Sequence, residues 1–201
     1  MGDQYLFQPL TKEDKITVIV YRSGIALSSV IISALAYMLF SASRFQTDSS
    51  ISLKINVLLI SLYISVGMSV FFIHLYISKF KKMLKRLYYI SVAALMILLI
   101  IGKGNVLIVF AEKPYSVMLL IPLAGCLGFI TAKEAFCFRL MEGYILALVM
   151  PLYLFLFSVG AVTLRGASYG LFLTAVMLMF FTFRKIFMPI HYDVGDKSAY
   201  T

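Results

Sequence analysis

Six apolar stretches alternate with short polar or basic connections along the 201-residue chain. A transmembrane helix needs about 20 mainly apolar residues to cross the hydrocarbon core of a bilayer, and most of the stretches approach that length. The pattern predicts an all-α, polytopic membrane protein, with residues 1–201 forming one domain built as a bundle of about six transmembrane helices. The predicted spans cover about residues 23–41, 55–77, 87–101, 117–132, 144–162 and 169–183.

The third span is the least regular part of the pattern. Residues 87–101 are short for a span, and the sequence Gly102-Lys103-Gly104-Asn105 interrupts the apolar run before it resumes briefly at 106–111. We expect the segment 102–116 to be interfacial or re-entrant.

A few residues refine the predicted helices. The Thr11 hydroxyl is placed to accept a hydrogen bond from a first-turn amide, and residues 16–21 are expected to form an interfacial turn before the first span. Gly125 and Gly128 give the fourth span a small-residue face on which another helix can approach closely. Pro151 predicts a kink in the fifth span, because proline lacks a backbone donor.

The composition agrees with this class of protein. Hydrophobic residues make up 62% of the chain and charged residues only 13%, whereas soluble domains contain about half apolar and a quarter charged residues. A separate extramembrane domain is therefore not expected. Residues 1–15 are polar and show no cleavable leader, so we expect the first span to direct insertion.

The net charge of +9 is better explained by topology than by nucleic acid binding, since the cations occupy the connections and form no basic stripe with interleaved aromatics. Thirteen Lys and Arg residues fall on the side that holds both predicted ends, against five on the other side. Cytoplasmic flanks carry such an excess. Both termini are therefore predicted to be cytoplasmic, and the protein is expected to contact membrane lipids but no nucleic acid.

The central block from 125 to 143 is the one place where charges and a cysteine lie between two spans. Its chemistry comes from five residues: Lys133, Glu134, Cys137, Arg139 and Glu142. Helical spacing places Lys133 beside Cys137 and Arg139 beside Glu142. The block is a candidate docking or ligand site, or alternatively a charged interfacial loop whose residues pair with each other and with lipid headgroups.

The connection after the second span carries the densest positive charge and is predicted to be a basic cytoplasmic loop available for docking. Its cations are Lys79, Lys81, Lys82, Lys85 and Arg86.

His74 is the only histidine in a predicted span. Neutral imidazole can bind the magnesium of a chlorophyll or the iron of a haem, but a histidine that hydrogen-bonds to a facing helix or reaches the interface is the favoured interpretation. No cofactor is required by the sequence, and chlorophyll or haem stays an alternative.

Other chemical signatures are missing from the sequence. Cys126 and Cys137 form no CxxC or Cys/His pattern, so no metal site is predicted. Nucleophile elbow, zinc-protease and phosphate-loop motifs are also lacking, which argues against an enzyme. Tyrosines near the span ends, Tyr21 among them, are expected to form an interfacial belt.

Four short motifs together resemble an uncharacterised integral membrane protein family of cyanobacteria. They are Tyr21-Arg22-Ser23-Gly24, His74-Leu75-Tyr76, the more specific Lys133-Glu134-Ala135-Phe136-Cys137-Phe138, and Gly195-Asp196-Lys197-Ser198. The resemblance implies a thylakoid or plasma membrane location and no particular reaction.

Three functions remain open at this point. The first is a non-catalytic accessory protein that helps to assemble, stabilise or regulate a photosynthetic or respiratory membrane complex. The second is a small-molecule or ion transporter or channel, with Glu134, Glu142 and Pro151 lining a cytoplasmic vestibule. The third is a pigment- or haem-binding membrane protein that uses His74.

Overall fold

The computed structural model of the chain describes residues 10–42, 49–75 and 77–194, and all regular structure within these ranges is helical. The described residues form, in order, seven α-helices of seven or more residues, with one 3-10 helix between the fourth and the fifth, and a short last helix. They are α1 (Lys12–Ala42), α2 (Ser49–Phe72), α3 (Ser78–Ile101), α4 (Val106–Glu112), the 3-10 helix (Pro114–Leu120), α5 (Ile121–Phe138), α6 (Met141–Ser158), α7 (Leu164–Ile186) and α8 (His191–Val194).

Six stretches in the described residues are long and apolar enough to cross a membrane. They lie in α1, α2, α3, the continuous 3-10 helix and α5, α6, and α7. The predicted fold class, an all-α bundle of about six spans, is confirmed.

Several helices begin well before the predicted apolar spans and include charged residues there, whereas α2 and α6 end earlier than predicted. Helix α1 begins at Lys12 rather than near residue 23, so the expected interfacial turn at 16–21 is wrong. Helix α2 covers 49–72 rather than 55–77. Hydropathy marks the part of a helix in hydrocarbon, whereas Lys and Arg are good helix formers that continue the helix beyond it.

The same effect corrects both predicted polar loops. The basic cluster from Lys79 to Arg86 forms the first turns of α3, and residues 133–138 form the last turns of α5. Neither group of charges is a flexible connection, so the helices fix the direction of each side chain.

The start of α1 has the predicted cap. The Asp14 amide donates to the Thr11 hydroxyl at 3.2 Å, and the Thr11 amide donates to the Asp14 carboxylate at 2.8 Å. The two residues satisfy backbone donors that would otherwise lack a helical partner.

The segment after α3 packs against the bundle. Asn105 caps α4 by accepting from the Ile108 amide, and the Ser52 hydroxyl of α2 donates to the same Asn105 oxygen at 2.5 Å. Val106 is fully buried. A short capped helix with a core-facing side therefore occupies the region predicted to be interfacial or re-entrant.

Small residues allow the helices to approach closely, as predicted for Gly128. A Cβ atom at Gly128 of α5 would lie 3.2 Å from the Ala147 carbonyl oxygen of α6. A similar contact joins α1 to α2, where a Cβ at Gly24 would lie 2.7 Å from the Ser65 carbonyl oxygen. A side chain at Gly24 would clash with the α2 backbone, and one at Gly128 would force α6 to shift slightly.

Candidate functional site

A cluster of buried charges, here called the ion network, lies at one end of the bundle. Helix α1 begins at this end, and α5 and α7 end there, with α8 folded back beside them. Its members are Tyr21, Arg22, Lys133, Glu134, Lys185 and Asp193.

Glu134 is the carboxylate at the centre of the ion network, and it is fully buried. Its Oε1 accepts from the Tyr21 hydroxyl at 2.6 Å and from the Lys133 Nζ at 2.7 Å. Its Oε2 forms an ion pair with the Lys185 ammonium of α7. One hydroxyl and two ammonium groups, from three helices, therefore surround one carboxylate.

Asp193 supplies the second carboxylate and extends the ion network to α1. The Lys185 Nζ donates to its Oδ1 at 2.5 Å, and the Arg22 Nε donates to its Oδ2 at 2.7 Å. Lys185 thus bridges Glu134 and Asp193, with its ammonium 3.6 Å from the centre of the Phe138 ring. This cation–π contact adds to the two ion pairs.

The remaining donors of Arg22 are taken up by the chain just after α7. Its guanidinium donates to the carbonyl oxygens of Ile186, Met188 and Pro189, at 3.1, 2.5 and 3.1 Å. With the bonds to Asp193, the guanidinium makes five hydrogen bonds and uses all five of its N–H groups. The first helix therefore holds the end of the last long helix in a fixed position.

The composition of the ion network determines what it can do. Three cations face two carboxylates, so one positive charge is in excess. Buried ions lose their hydration, and removing one partner of such a pair leaves an uncompensated charge. The geometry therefore favours one packing of α1, α5, α7 and α8 over any arrangement that separates the partners.

The structure places the predicted residues of the central block in different environments. Lys133 and Glu134 belong to the ion network, whereas Cys137 is an exposed thiol. Arg139 is exposed and has a left-handed backbone with φ of 54° at the end of α5. The helical pairing predicted for Arg139 and Glu142 is therefore wrong.

Glu142 instead bonds to α7. The Arg184 guanidinium donates to both of its carboxylate oxygens, at 2.7 and 2.9 Å. The Arg184 side chain is 42% exposed, so this second ion pair lies at the surface of the bundle, unlike the ion network.

Sequence reasoning missed four members of the ion network. Tyr21 is expected in the interfacial belt, Arg22 enters only a family motif and the count of cations, Lys185 enters only that count, and Asp193 receives no predicted role. Tyr21 is in fact fully buried. The available signal was a charge directly beside an apolar run, as at Arg22 and Lys185, because such charges need a partner.

The basic cluster is divided by the helix into two environments. Lys79, Lys82 and Arg86 are exposed and spaced to lie on one side of α3, a surface we call the basic face. Lys81 and Lys85 are half-buried, and the Lys85 ammonium lies 5.5 Å from the centre of the Phe71 ring.

His74 lies in the connection between α2 and α3 rather than inside a span. Its Nε2 is 3.4 Å from the Thr17 hydroxyl, and its buried Nδ1 makes no hydrogen bond to the described residues. Burial lowers the pKa of His74 below its ordinary value, helped by the nearby charges of Lys133 and Lys81 and opposed by Asp193 and Asp14. Burial therefore favours the neutral form of the imidazole.

Cys126 is a buried free thiol. Within residues 10–42, 49–75 and 77–194, no three His, Cys, Asp or Glu side chains come together as a metal site would require. The terminal motif at 195–198 lies outside the described residues.

Six apolar spans packed around an apolar core, with the ion network at one end, define a polytopic helical integral membrane protein. The chain belongs to the family of uncharacterized integral membrane proteins DUF2301, whose family model matches residues 68–201. The matched region contains Lys133, Glu134, Lys185 and Asp193 of the ion network, but neither Tyr21 nor Arg22. The expected membership of an uncharacterised membrane family is confirmed, while a cyanobacterial origin stays a prediction. Comparisons with curated proteins and with solved structures gave no match.

Proposed function

We propose that the protein is a non-catalytic accessory protein that assembles, stabilises or regulates a photosynthetic or respiratory complex in a thylakoid or plasma membrane. The observation that carries the proposal is the basic face, which presents three exposed cations on one side of α3. The charges of the ion network, in contrast, are paired within the protein.

The docking surface is narrower than the sequence predicted. Lys133 and Glu134 are paired in the ion network, where the Glu134 side chain is fully buried and the Lys133 side chain is only 10% exposed. The basic face lies at the same end of the bundle as the ion network. Helix α1 starts at that end, α2 runs back to it, and α3 begins there. Docking is therefore assigned to Lys79, Lys82 and Arg86.

The charge at the start of α3 supports an acidic partner. A helix N-terminus already carries a partial positive charge, and the first turn of α3 contains no acidic residue to offset it. The added Lys and Arg charges repel this end of the helix dipole. An acidic surface of a partner protein would relieve that repulsion and would gain charge-assisted contacts.

The test is recovery of partners from the native membrane in mild detergent, using a tagged chain and mass spectrometry. Reversal of the basic face, with Lys79→Glu, Lys82→Glu and Arg86→Glu together, should abolish recovery of a stoichiometric partner. The matched control reverses three exposed lysines near the other end of the bundle, Lys54, Lys103 and Lys113, and should retain the partner. Recovery of the unaltered protein alone, or only with copies of itself, would contradict the proposal.

The transport alternative receives less support. Glu134 is enclosed by its ion pairs, and the apolar cavity described below is lined by neither Glu134, Glu142 nor Pro151. Transport of an ion through this end would require the ion network to open. Unchanged substrate uptake by a Glu134→Gln variant in vesicles would remove the alternative.

Pigment or haem binding at His74 is a second proposal, supported by the buried Nδ1 that makes no hydrogen bond to the described residues and by the burial that favours the neutral form of the ring. A neutral imidazole is the form that binds a metal. The protein purified from its native membrane should then absorb visible light, and a His74→Gln variant should not. A colourless native preparation would contradict this proposal.

A further inference from the structure

A cavity of about 150 Å³ lies in the half of the bundle opposite to the ion network. It is lined by α1, α2, α4, the 3-10 helix, α5, α6 and α7. Four of these helices each line it over eight residues: Ile32 to Leu39, Ile55 to Leu62, Met150 to Phe157, and Ala167 to Thr174. At a rise of 1.5 Å per residue, the walls run for about 10 Å along the helices.

The lining is almost entirely hydrocarbon. Only Tyr153, Ser168 and Thr174 among the lining residues carry a polar side chain. The Tyr153 hydroxyl donates to the Ala167 carbonyl oxygen at 2.9 Å, and the Thr174 hydroxyl donates to the Gly170 carbonyl oxygen at 2.9 Å. These two hydroxyls are used within the protein, so they offer little to a polar ligand.

A cavity with this lining does not hold water well. Water needs two or more polar partners, and apolar cavities of similar size stay dry or take up apolar molecules. The solvent around the six candidate spans is lipid hydrocarbon. The most abundant apolar molecules near this cavity are therefore lipid chains.

From these observations we infer that the cavity is a binding site for the hydrocarbon chain of one membrane lipid. A volume of 150 Å³ spread along walls of about 10 Å is narrow, which suits a linear chain better than a fused ring system. The site requires no headgroup recognition, since the lining offers no charged side chain. The inference is independent of the proposed docking function.

The absence of tryptophan from the sequence provides a clean test. Phe157 lines the cavity and is 6% exposed, whereas Phe155 on the same helix is 46% exposed. Phe157→Trp and Phe155→Trp each place a single fluorophore in the full-length protein. Both variants are reconstituted into phosphatidylcholine vesicles with or without bromine atoms along the acyl chains, because bromine quenches tryptophan at short range.

We expect brominated lipid to quench the fluorophore at position 157 as well as the one at 155. Filling the cavity by Ala124→Leu should remove quenching at 157 and leave that at 155 unchanged, since Ala124 is a buried lining residue. Ala167→Leu is the second filling variant, should the first not fold. An unquenched fluorophore at 157, or quenching that persists when the cavity is filled, would overturn the inference.

Discussion

Replacing Glu134 by glutamine tests whether the ion network stabilises the bundle. The change keeps the shape of the side chain but removes one of the two carboxylates that face Arg22, Lys133 and Lys185. The excess positive charge of the ion network then rises from one to two. Breaking a buried ion pair in this way costs about 3–5 kcal/mol, which is a large part of a typical stability of about 5–15 kcal/mol.

Glu142→Gln provides a matched control. This carboxylate also bonds to an arginine, but the Arg184 side chain is 42% exposed. Exposed pairs contribute about 0.2–1 kcal/mol. The same chemical change should therefore be several times more costly at position 134 than at position 142.

The buried thiol of Cys126 supplies the assay. In a Cys137→Ser background, a thiol-reactive fluorophore should label the detergent-solubilised protein only as it unfolds, so the midpoint of labelling on heating reports stability. We expect a much lower midpoint for Glu134→Gln than for Glu142→Gln.

A double variant provides an internal check. Adding Lys185→Gln to Glu134→Gln returns the excess charge of the ion network to one, so the double variant should be more stable than Glu134→Gln alone. Equal midpoints for Glu134→Gln and Glu142→Gln would refute the description of Glu134 as an enclosed, charge-paired carboxylate.

Three further variants or labelling experiments test other parts of the structure. Gly128→Ala should lower the unfolding midpoint by the equivalent of about 1–3 kcal/mol, because the added Cβ lies 3.2 Å from the backbone of α6. Gly125→Ala is the control and should cost less, since its Cβ lies 3.3 Å from a leucine methyl group that can move. Equal losses would contradict the close packing of α5 on α6. The pKa of His74 in the folded protein lies below its ordinary value, so protonation of this residue should lower the stability as the pH falls below about 6.5 towards the folded pKa. The His74→Gln variant should therefore show a weaker dependence of the unfolding midpoint on pH. An unchanged pH profile would contradict the burial of the ring. A membrane-impermeant maleimide should label the exposed Cys137 but not the buried Cys126 in the folded protein. Labelling of Cys137 from the cytoplasmic side alone would support the predicted orientation, and labelling from the opposite side would reverse it.

The six spans could be predicted because a long apolar run is a strong signal for a membrane helix. The helix ends could not, since Lys12 and Lys79 continue helices through positions that hydropathy treats as loop. Lys133 and Glu134 are recognisable in the sequence as a candidate site, but hydropathy does not show that both lie in the last turns of α5 rather than in a loop.

The ion network itself depends on contacts between distant parts of the chain. Tyr21 and Glu134 are 113 positions apart, and Arg22 and Asp193 are 171 positions apart. Local patterns do not report such pairs, so charge beside an apolar run indicates that a partner is needed without identifying it. The apolar cavity is equally non-local, because its walls come from elements throughout the described chain.

The separation of Arg22 from Asp193 has a consequence for biosynthesis. At about 5–20 residues per second, a ribosome needs roughly 10 to 35 s to synthesise the 171 positions between the guanidinium and its carboxylate. During that interval the first helix enters the membrane with a charge whose final partner does not yet exist. The nascent bundle must therefore accommodate Arg22 near water, a headgroup or an insertion factor, and α1 reaches its final setting only after α8 has emerged.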